Sequence, residues 1–348
     1  MSITSTSERQ SHGLSHHHVF AKFPICRPME LNGWSLNFLQ VRQRIYYDRA
    51  VIPNLVSNGG RIDERSDFHQ AERLFGENPP PTPRQEPVPF IGNEDALPGI
   101  NEEYFEWIDV LESVAAAGER FTMIELGAGF GRWSVNAASA VRLSKKIPFQ
   151  LVCVEAEPKH FGWIKTHMND NGIDLREQLL IEAAVNESGE PVWFHVGNPS
   201  AWYGQCISDT GPGSEPRSLL RRIYDRSRSM VRGDAVESNG VGLKKVNAVT
   251  LSEILSRVQF PVDLVDMDIQ GTEAKVIAAS LELLKSRVKR LHISTHSHPI
   301  ERELREMLSA RGWALKQDYP CLQVNSTPYG PVEFGDGVQS WINLELEM

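Results

Sequence analysis

Little in this chain of 348 residues invites a cross-link. Its four cysteines, Cys26, Cys153, Cys206 and Cys321, are scattered with no C-x-x-C spacing. That excludes a disulfide framework and a cysteine zinc cluster, and it fits free thiols in a reducing compartment. Long apolar runs are lacking too. No stretch approaches the roughly 20 residues that crossing a bilayer needs, and the start, MSITSTSERQSHGLSHHH, has neither the basic head nor the apolar run of a secretory signal. Positive charge is also short: 36 lysines and arginines face 45 aspartates and glutamates, a formal charge of −9, which disfavours a general nucleic-acid binder. What remains is an expected cytoplasmic protein with neither a nucleic-acid nor a membrane partner. Its hydrophobic (41%) and charged (23%) shares are ordinary for a globular chain, and its length suits one large domain with additions or two modest ones.

Glycine is concentrated in one place. Phe121 to Ser134 reads FTMIELGAGFGRWS: a strand, an acid (Glu125), glycines at 127, 129 and 131 around Ala128, and then a helical pattern from Arg132. Glycines at alternate positions let the chain turn sharply and let a ligand lie against main-chain N–H groups. A dinucleotide is one candidate, but its fingerprint G-x-G-x-x-G wants a glycine where Arg132 stands, and Glu125 would repel a pyrophosphate. S-adenosyl-L-methionine, with an ammonium and a sulfonium, suits that carboxylate better. Glu155 ends the next apolar run (Leu151–Val154) and is placed to take the two hydroxyls of a ribose, a role common to both ligand classes.

The rest of the chain supplies the context. Residues 1–30, with their Ser- and His-rich stretch through His16, His17 and His18, read as a disordered tail. Residues 31–100 form an extension in which Asn37 to Asp48 has helical spacing, ending in the proline-rich connector NPPPTPRQEPVP at 78–89. From residue 101 onward helices and strands alternate, which implies parallel crossovers and a sheet of seven or more strands covered on both faces. The alternation breaks at 197–242, a lid-like insertion after the third strand. It carries Trp202, Tyr203 and six arginines (Arg217, Arg221, Arg222, Arg226, Arg228, Arg232), read as a solvated face or a site for an acidic substrate.

Ligands of an open α/β sheet bind at the carboxyl ends of its strands. One such end reads Val265-Asp-Met-Asp-Ile-Gln-Gly271, where alternation puts Asp266 and Asp268 on one face about 6.6 Å apart. Two close carboxylates in a sheltered site need a proton, a cation or a hydrogen-bonding partner. The other end reads Leu291-His-Ile-Ser-Thr-His-Ser-His298. His292 is expected to be packed within the strand, and His296 lies at its end with a side chain suited to removing a proton at neutral pH.

The runs IELGAGFGRWS, VEAEPKHFGWIKTHMNDNG, VDMDIQGTE and LHISTH, taken in that order, resemble the FkbM-type family of S-adenosylmethionine-dependent methyltransferases from about Phe121 to Leu315. The resemblance implies a Rossmann-like, seven-stranded, mostly parallel sheet (the class I methyltransferase fold) with a terminal antiparallel strand, and methylation of hydroxyl oxygens on sugars or secondary metabolites. The family's usual K-I-D-x-E-G-x-E is altered here: Asp266 replaces the lysine and Gln270 the first glutamate, while Asp268, Gly271 and Glu273 match.

On this reading Glu125 and the loop Gly127, Ala128, Gly129 and Gly131 hold the methionine end. Glu155 takes the ribose, and the backbone near Ala183 and Ala184 the adenine edge. Asp268 and His296, with Asp266, orient and deprotonate a small hydroxyl acceptor, and the same three residues are the candidate ligands of a divalent cation. Two rivals are a cofactor-binding module without turnover and an NAD-dependent oxidoreductase.

Overall fold

The computed structural model describes residues 16–31, 34–44, 47, 96–196, 207–208 and 242–347. Three short antiparallel strands come first, β1 (Met29–Leu31), β2 (Trp34–Leu36) and β3 (Arg42–Arg44). Helix α1 (Glu103–Ala116) then leads into β4 (Phe121–Leu126), α2 (Arg132–Ser144), β5 (Phe149–Glu155), α3 (Pro158–Asp170), β6 (Leu179–Glu182) and β7 (Ala184–Val185). Strands β8 (Val192–Val196), β9 (Ile207–Ser208) and β10 (Gly242–Val246) make a small antiparallel sheet, and β11 (Ala248–Val249) pairs with β7. Next come α4 (Leu251–Arg257), β12 (Leu264–Met267), α5 (Glu273–Arg287), β13 (Arg290–Thr295) and α6 (His298–Ser309). The chain closes with β14 (Trp313–Tyr319), β15 (Gln323–Thr327), β16 (Gly330–Phe334) and β17 (Gly337–Asn343).

The central sheet has seven strands in the order β6-β5-β4-β12-β13-β17-β14. Only β17 runs antiparallel to its neighbours. Strand order reverses between β4 and β12, so the carboxyl ends of these two strands flank the switch point where a ligand belongs. All six residues of β4 are buried, because a central parallel strand is covered on both faces. Alternation sends Phe121 and Met123 into the core under α1, α2 and α3, and Ile124 and Leu126 into the core under α4, α5 and α6. A capping box, legible in the spacing of Thr250 and Glu253, closes the start of α4, each residue's side chain bonding the other's main-chain N–H.

Three expectations are corrected. From His16 the supposed tail is packed: Val19, Phe20, Phe23 and Ile25 are buried, Phe20 stacks on Tyr104 at 5.4 Å, and the apolar residues beyond the histidines outweigh the polar lead-in. The helical spacing of Asn37 to Asp48 instead yields a turn at Gln40 (φ 63°) and β3, since Asn37 accepts bonds from the Leu39 and Val41 N–H groups and donates to Asn136. The run Leu179–Val185, which reads in the sequence as one strand, divides into β6 and β7 because the Ala184 N–H leaves the main sheet for Asn247 O. The proline-rich connector lies outside the described residues, as does the insertion apart from Ile207, Ser208 and Gly242.

Behind the glycine loop the extension becomes a support. Tyr47 stacks on Phe130 at 5.1 Å, His167 Nδ1 meets Phe130 O at 3.1 Å, and Arg44 grips Asp170 of α3 through two bonds of 2.7 and 3.0 Å.

Candidate active site

Gly127, Gly129 and Gly131 have φ of 76°, 54° and 72°, a left-handed backbone that a side chain disfavours. At Gly127 the requirement is absolute, since a Cβ there would lie 1.8 Å from the carbonyl oxygen of Asp268. The loop after β4 therefore touches the loop after β12 main chain to main chain, and the Asp268 N–H donates to Leu126 O at 2.9 Å.

The two acids of this half of the site are both buried. Glu125 accepts from the N–H groups of Trp133 (3.2 Å) and Ser134 (2.9 Å), so it caps the first turn of α2. Burial, with Asp266 alongside on β12, pushes its carboxyl up to about 8. This alters its expected part as a counter-ion to a cationic ligand: at about 8 the carboxyl carries little charge at neutral pH, although each oxygen, holding one N–H, keeps a lone pair. Glu155 accepts from Gly129 N–H and Glu157 N–H, each at 2.7 Å, and burial raises its pKa. Each of its oxygens retains a lone pair, so the acid that braces the glycine loop still has acceptors for a diol. The N–H of Ala183 donates to Glu155 O and that of Ala184 to Asn247 O. Their amides are therefore not available to an adenine, which corrects the expected backbone contact.

On the other side of the switch point, β12 ends at Met267, and Gln270 and Gly271 turn the chain at φ of 57° and 102°. Asp268 sits in this turn with its side chain 47% exposed and Oδ1 3.3 Å from His296 Nε2. His296 is buried, its Nδ1 2.8 Å from Oε1 of the fully buried Glu273, and Asp336 Oδ1 lies 3.8 Å from Nε2. Glu273 Oε1 also accepts from Gly271 N–H at 2.8 Å, which fixes the turn. Burial opposes a charge on His296, but the Glu273 carboxylate and the Asp268 bond outweigh it and raise its pKa well above 6.5. These neighbours favour the charged imidazolium over the neutral base expected from the sequence. At the rim, Glu102 of the α1 N-cap accepts from Gly335 N–H at 2.5 Å, and burial beside Asp336 brings it to about 7.

Asp266 belongs to a different cluster. It is 4% exposed and in register with Glu125 on one side and His292 on the other, and its carboxyl faces Glu106 of α1. Burial holds Asp266 at about 6 and drives Glu106 well above its ordinary value, each aggravated by a neighbouring acid. His292 bonds Asp109 of α1 at 2.7 Å, and this bond overcomes burial to raise the imidazole and lower the carboxylate. The trio of Asp266, Asp268 and His296 expected to share a cation is therefore divided. Strand alternation carries Asp266 under α1, and the alternation has already ended at Asp268.

Glu106, Asp109, Glu102 and Asp336 were not anticipated as site residues. The first three sit in or at the N-cap of α1, whose periodic signal is its apolar stripe of Tyr104, Ile108, Leu111 and Val114, and Asp336 lies in a tight connection between strands. Glu273 carried a signal, as a matching position of the family motif.

The strand order, the glycine loop at the switch point and the acid ending β5 define a class I S-adenosylmethionine-dependent methyltransferase. Residues 125–319, more than half of the chain, match the Methyltransferase FkbM domain, and the chain belongs to that family. A protein of Jannaschia sp. (strain CCS1) named "Putative methyltransferase" is 26% identical over 244 residues, 70% of this chain and 77% of that protein. Among solved structures, methyltransferase FkbM from Methylobacillus flagellatus KT is 11% identical with a TM-score of 0.35, over 64% of this chain and 44% of that one. The O-methyltransferase from Bacillus cereus, solved with SAH, is 11% identical with a TM-score of 0.36, over 70% and 82%. Likeness at this level does not bear on the acceptor. No helix among the described residues is long and apolar enough to cross a membrane.

Proposed function

We propose that this enzyme methylates an oxygen of a small hydroxyl-bearing acceptor, a sugar or a secondary metabolite, with Asp268 as the group that receives the acceptor's proton. One observation carries the reading: the backbone of Asp268 is seated against Gly127 of the cofactor loop, while its half-exposed carboxylate is aimed at by His296. The acid that meets the acceptor and the loop that meets the donor are thereby a single rigid part.

The residues fit S-adenosylmethionine. The positive-φ loop offers closely approachable main chain, and Glu155 offers two remaining lone pairs to the ribose diol. Glu125 serves the same site from below by holding α2 to the loop. When bound, the cofactor supplies a methyl group on a positively charged sulfur.

The protein's own part is positioning and proton transfer. The acceptor hydroxyl hydrogen-bonds to Asp268, its oxygen forms the new bond to the methyl carbon as the carbon–sulfur bond breaks, and its proton passes to the carboxylate. His296, fixed by Glu273, holds that carboxylate in place. Holding the two reactants in line supplies most of the rate. Asp268, Asp336 and Glu102 make the rim acidic, which suits hydrogen bonding to polyols and repels phosphorylated acceptors.

Radiolabelled S-adenosylmethionine offered with panels of sugars, polyketide alcohols, phenols, amines and carboxylic acids tests this. Label transferred to hydroxyl compounds supports the reading, whereas transfer confined to amines or carboxylates overturns it.

A further inference from the structure

Beneath the acceptor site, three ligand-type side chains converge in the interior. Asp266 of β12 and His292 of β13 are register partners, and Glu106 reaches them from α1; its carboxyl end is buried, although the residue as a whole is half-exposed. One oxygen or nitrogen of each lies within 4.8 Å of the others. Two polar atoms here, Asp266 Oδ1 and His292 Nε2, are buried with no hydrogen-bond partner, which is rare for interior polar groups. The opposite nitrogen of His292 is committed: Nδ1 lies 2.7 Å from Asp109 Oδ2, and Asp109 is itself held by Lys316 at 3.4 Å and by Ser340. A histidine whose outer nitrogen is fixed by a carboxylate and whose inner nitrogen faces other acids is the arrangement that orients imidazole toward a metal.

From this geometry we infer that Glu106, Asp266 and His292 bind a divalent transition metal of the zinc or manganese kind, in an interior site that ties α1 to the centre of the sheet. The donor set of one imidazole and two carboxylates suits these ions better than magnesium, which prefers oxygen alone. Ligand atoms around a four-coordinate zinc stand about 3.4 Å apart, given bonds of about 2.0–2.2 Å. The cluster need draw in by up to about 1.4 Å, with a second oxygen of Glu106 or a water as fourth ligand. The site is distinct from the acceptor pair, since His296 and Asp268 contribute nothing to it. Its reach is nonetheless felt there, because the first turn of α1 also carries Glu102, bonded to Gly335 next to Asp336.

The test uses the full-length protein, stripped with chelator and titrated with zinc, manganese and cobalt(II). The expected result is one equivalent of zinc and of cobalt, a cobalt visible band that zinc abolishes, and a higher melting temperature with either ion. His292→Gln and Asp266→Asn should weaken uptake at least 100-fold, and Asp109→Asn, a positioning residue, about 10- to 100-fold. Asp268→Asn should leave uptake unchanged. Should the interior variants fail to fold, the wild-type cobalt form still answers, through a paramagnetically shifted imidazole N–H proton from one histidine. Wild type that takes up neither zinc nor cobalt, or that shows no shifted imidazole proton, overturns the site and leaves a carboxyl pair sharing a proton. Equal uptake by folded His292→Gln overturns it as well. None of these readouts depends on methyl transfer, so the site and the acceptor assignment stand or fall separately.

Discussion

Two histidines, His292 within β13 and His296 just beyond it, are built to the same plan four residues apart. Each has Nδ1 on a carboxylate, Asp109 at 2.7 Å or Glu273 at 2.8 Å, and each faces an aspartate from the end of β12, Asp266 or Asp268. Environment separates them. The inner aspartate is 4% exposed beneath α1, whereas the side chain of the outer one is 47% exposed at the mouth of the cofactor loop. The same chemical couple is thus a fixture of the core in one copy and open to solvent in the other, and burial is what separates the core pair from the one proposed to meet the acceptor.

The comparison breaks most visibly in turnover. Asp268→Ala should lower methyl transfer by about 10²- to 10⁴-fold while leaving the melting temperature and the cofactor dissociation constant near wild type. A loss of fold instead would mean that the outer pair is structural too. Asp109→Ala should do the reverse, destabilising the protein by about 3–5 kcal/mol, because it breaks a buried pair and leaves His292 Nδ1 without its partner. Urea denaturation measures this, and a change under 1 kcal/mol would remove the distinction between the pairs.

Glu155→Gln lies outside both pairs and should cost cofactor binding about 1.5–3 kcal/mol through the weakened charged hydrogen bonds. Calorimetry reads it, and an unaltered dissociation constant would take Glu155 out of the site. The smallest effect is one of pH. The folded state holds His296 charged above its ordinary 6.5, so its contribution to stability is whole below about pH 6.5 and is lost as pH rises through the folded value. The gap in melting temperature between wild type and His296→Gln should therefore be widest near pH 6 and narrow in alkaline buffer. A gap that widens with pH would show His296 to be neutral in the fold.

What could be read from the sequence was whatever is local. Strand ends, helix caps and the glycine turn are decided by neighbours, and Glu155 at the end of β5 and Thr250 at the start of α4 stand where spacing put them. Partnerships across the chain could not be read. His292 and Asp109 are 183 residues apart in sequence, and no periodicity in either segment announces the other. Alternation misassigned the aspartates because it presumes a strand that continues, and β12 stops one residue before Asp268. The same blindness hid the β15–β16 hairpin, whose Pro331 and exposed Val324 argue against a strand, although its partner register is complete.

The contact between Gly127 and the carbonyl of Asp268 has a bearing on how this enzyme could be re-engineered. Because the glycine loop and the turn after β12 meet through main chain, a change of length or angle in either is expected to shift the other. New acceptor preferences would have to be written in side chains alone, at Asp336 or Gln270 on the rim, leaving the backbone of both loops untouched.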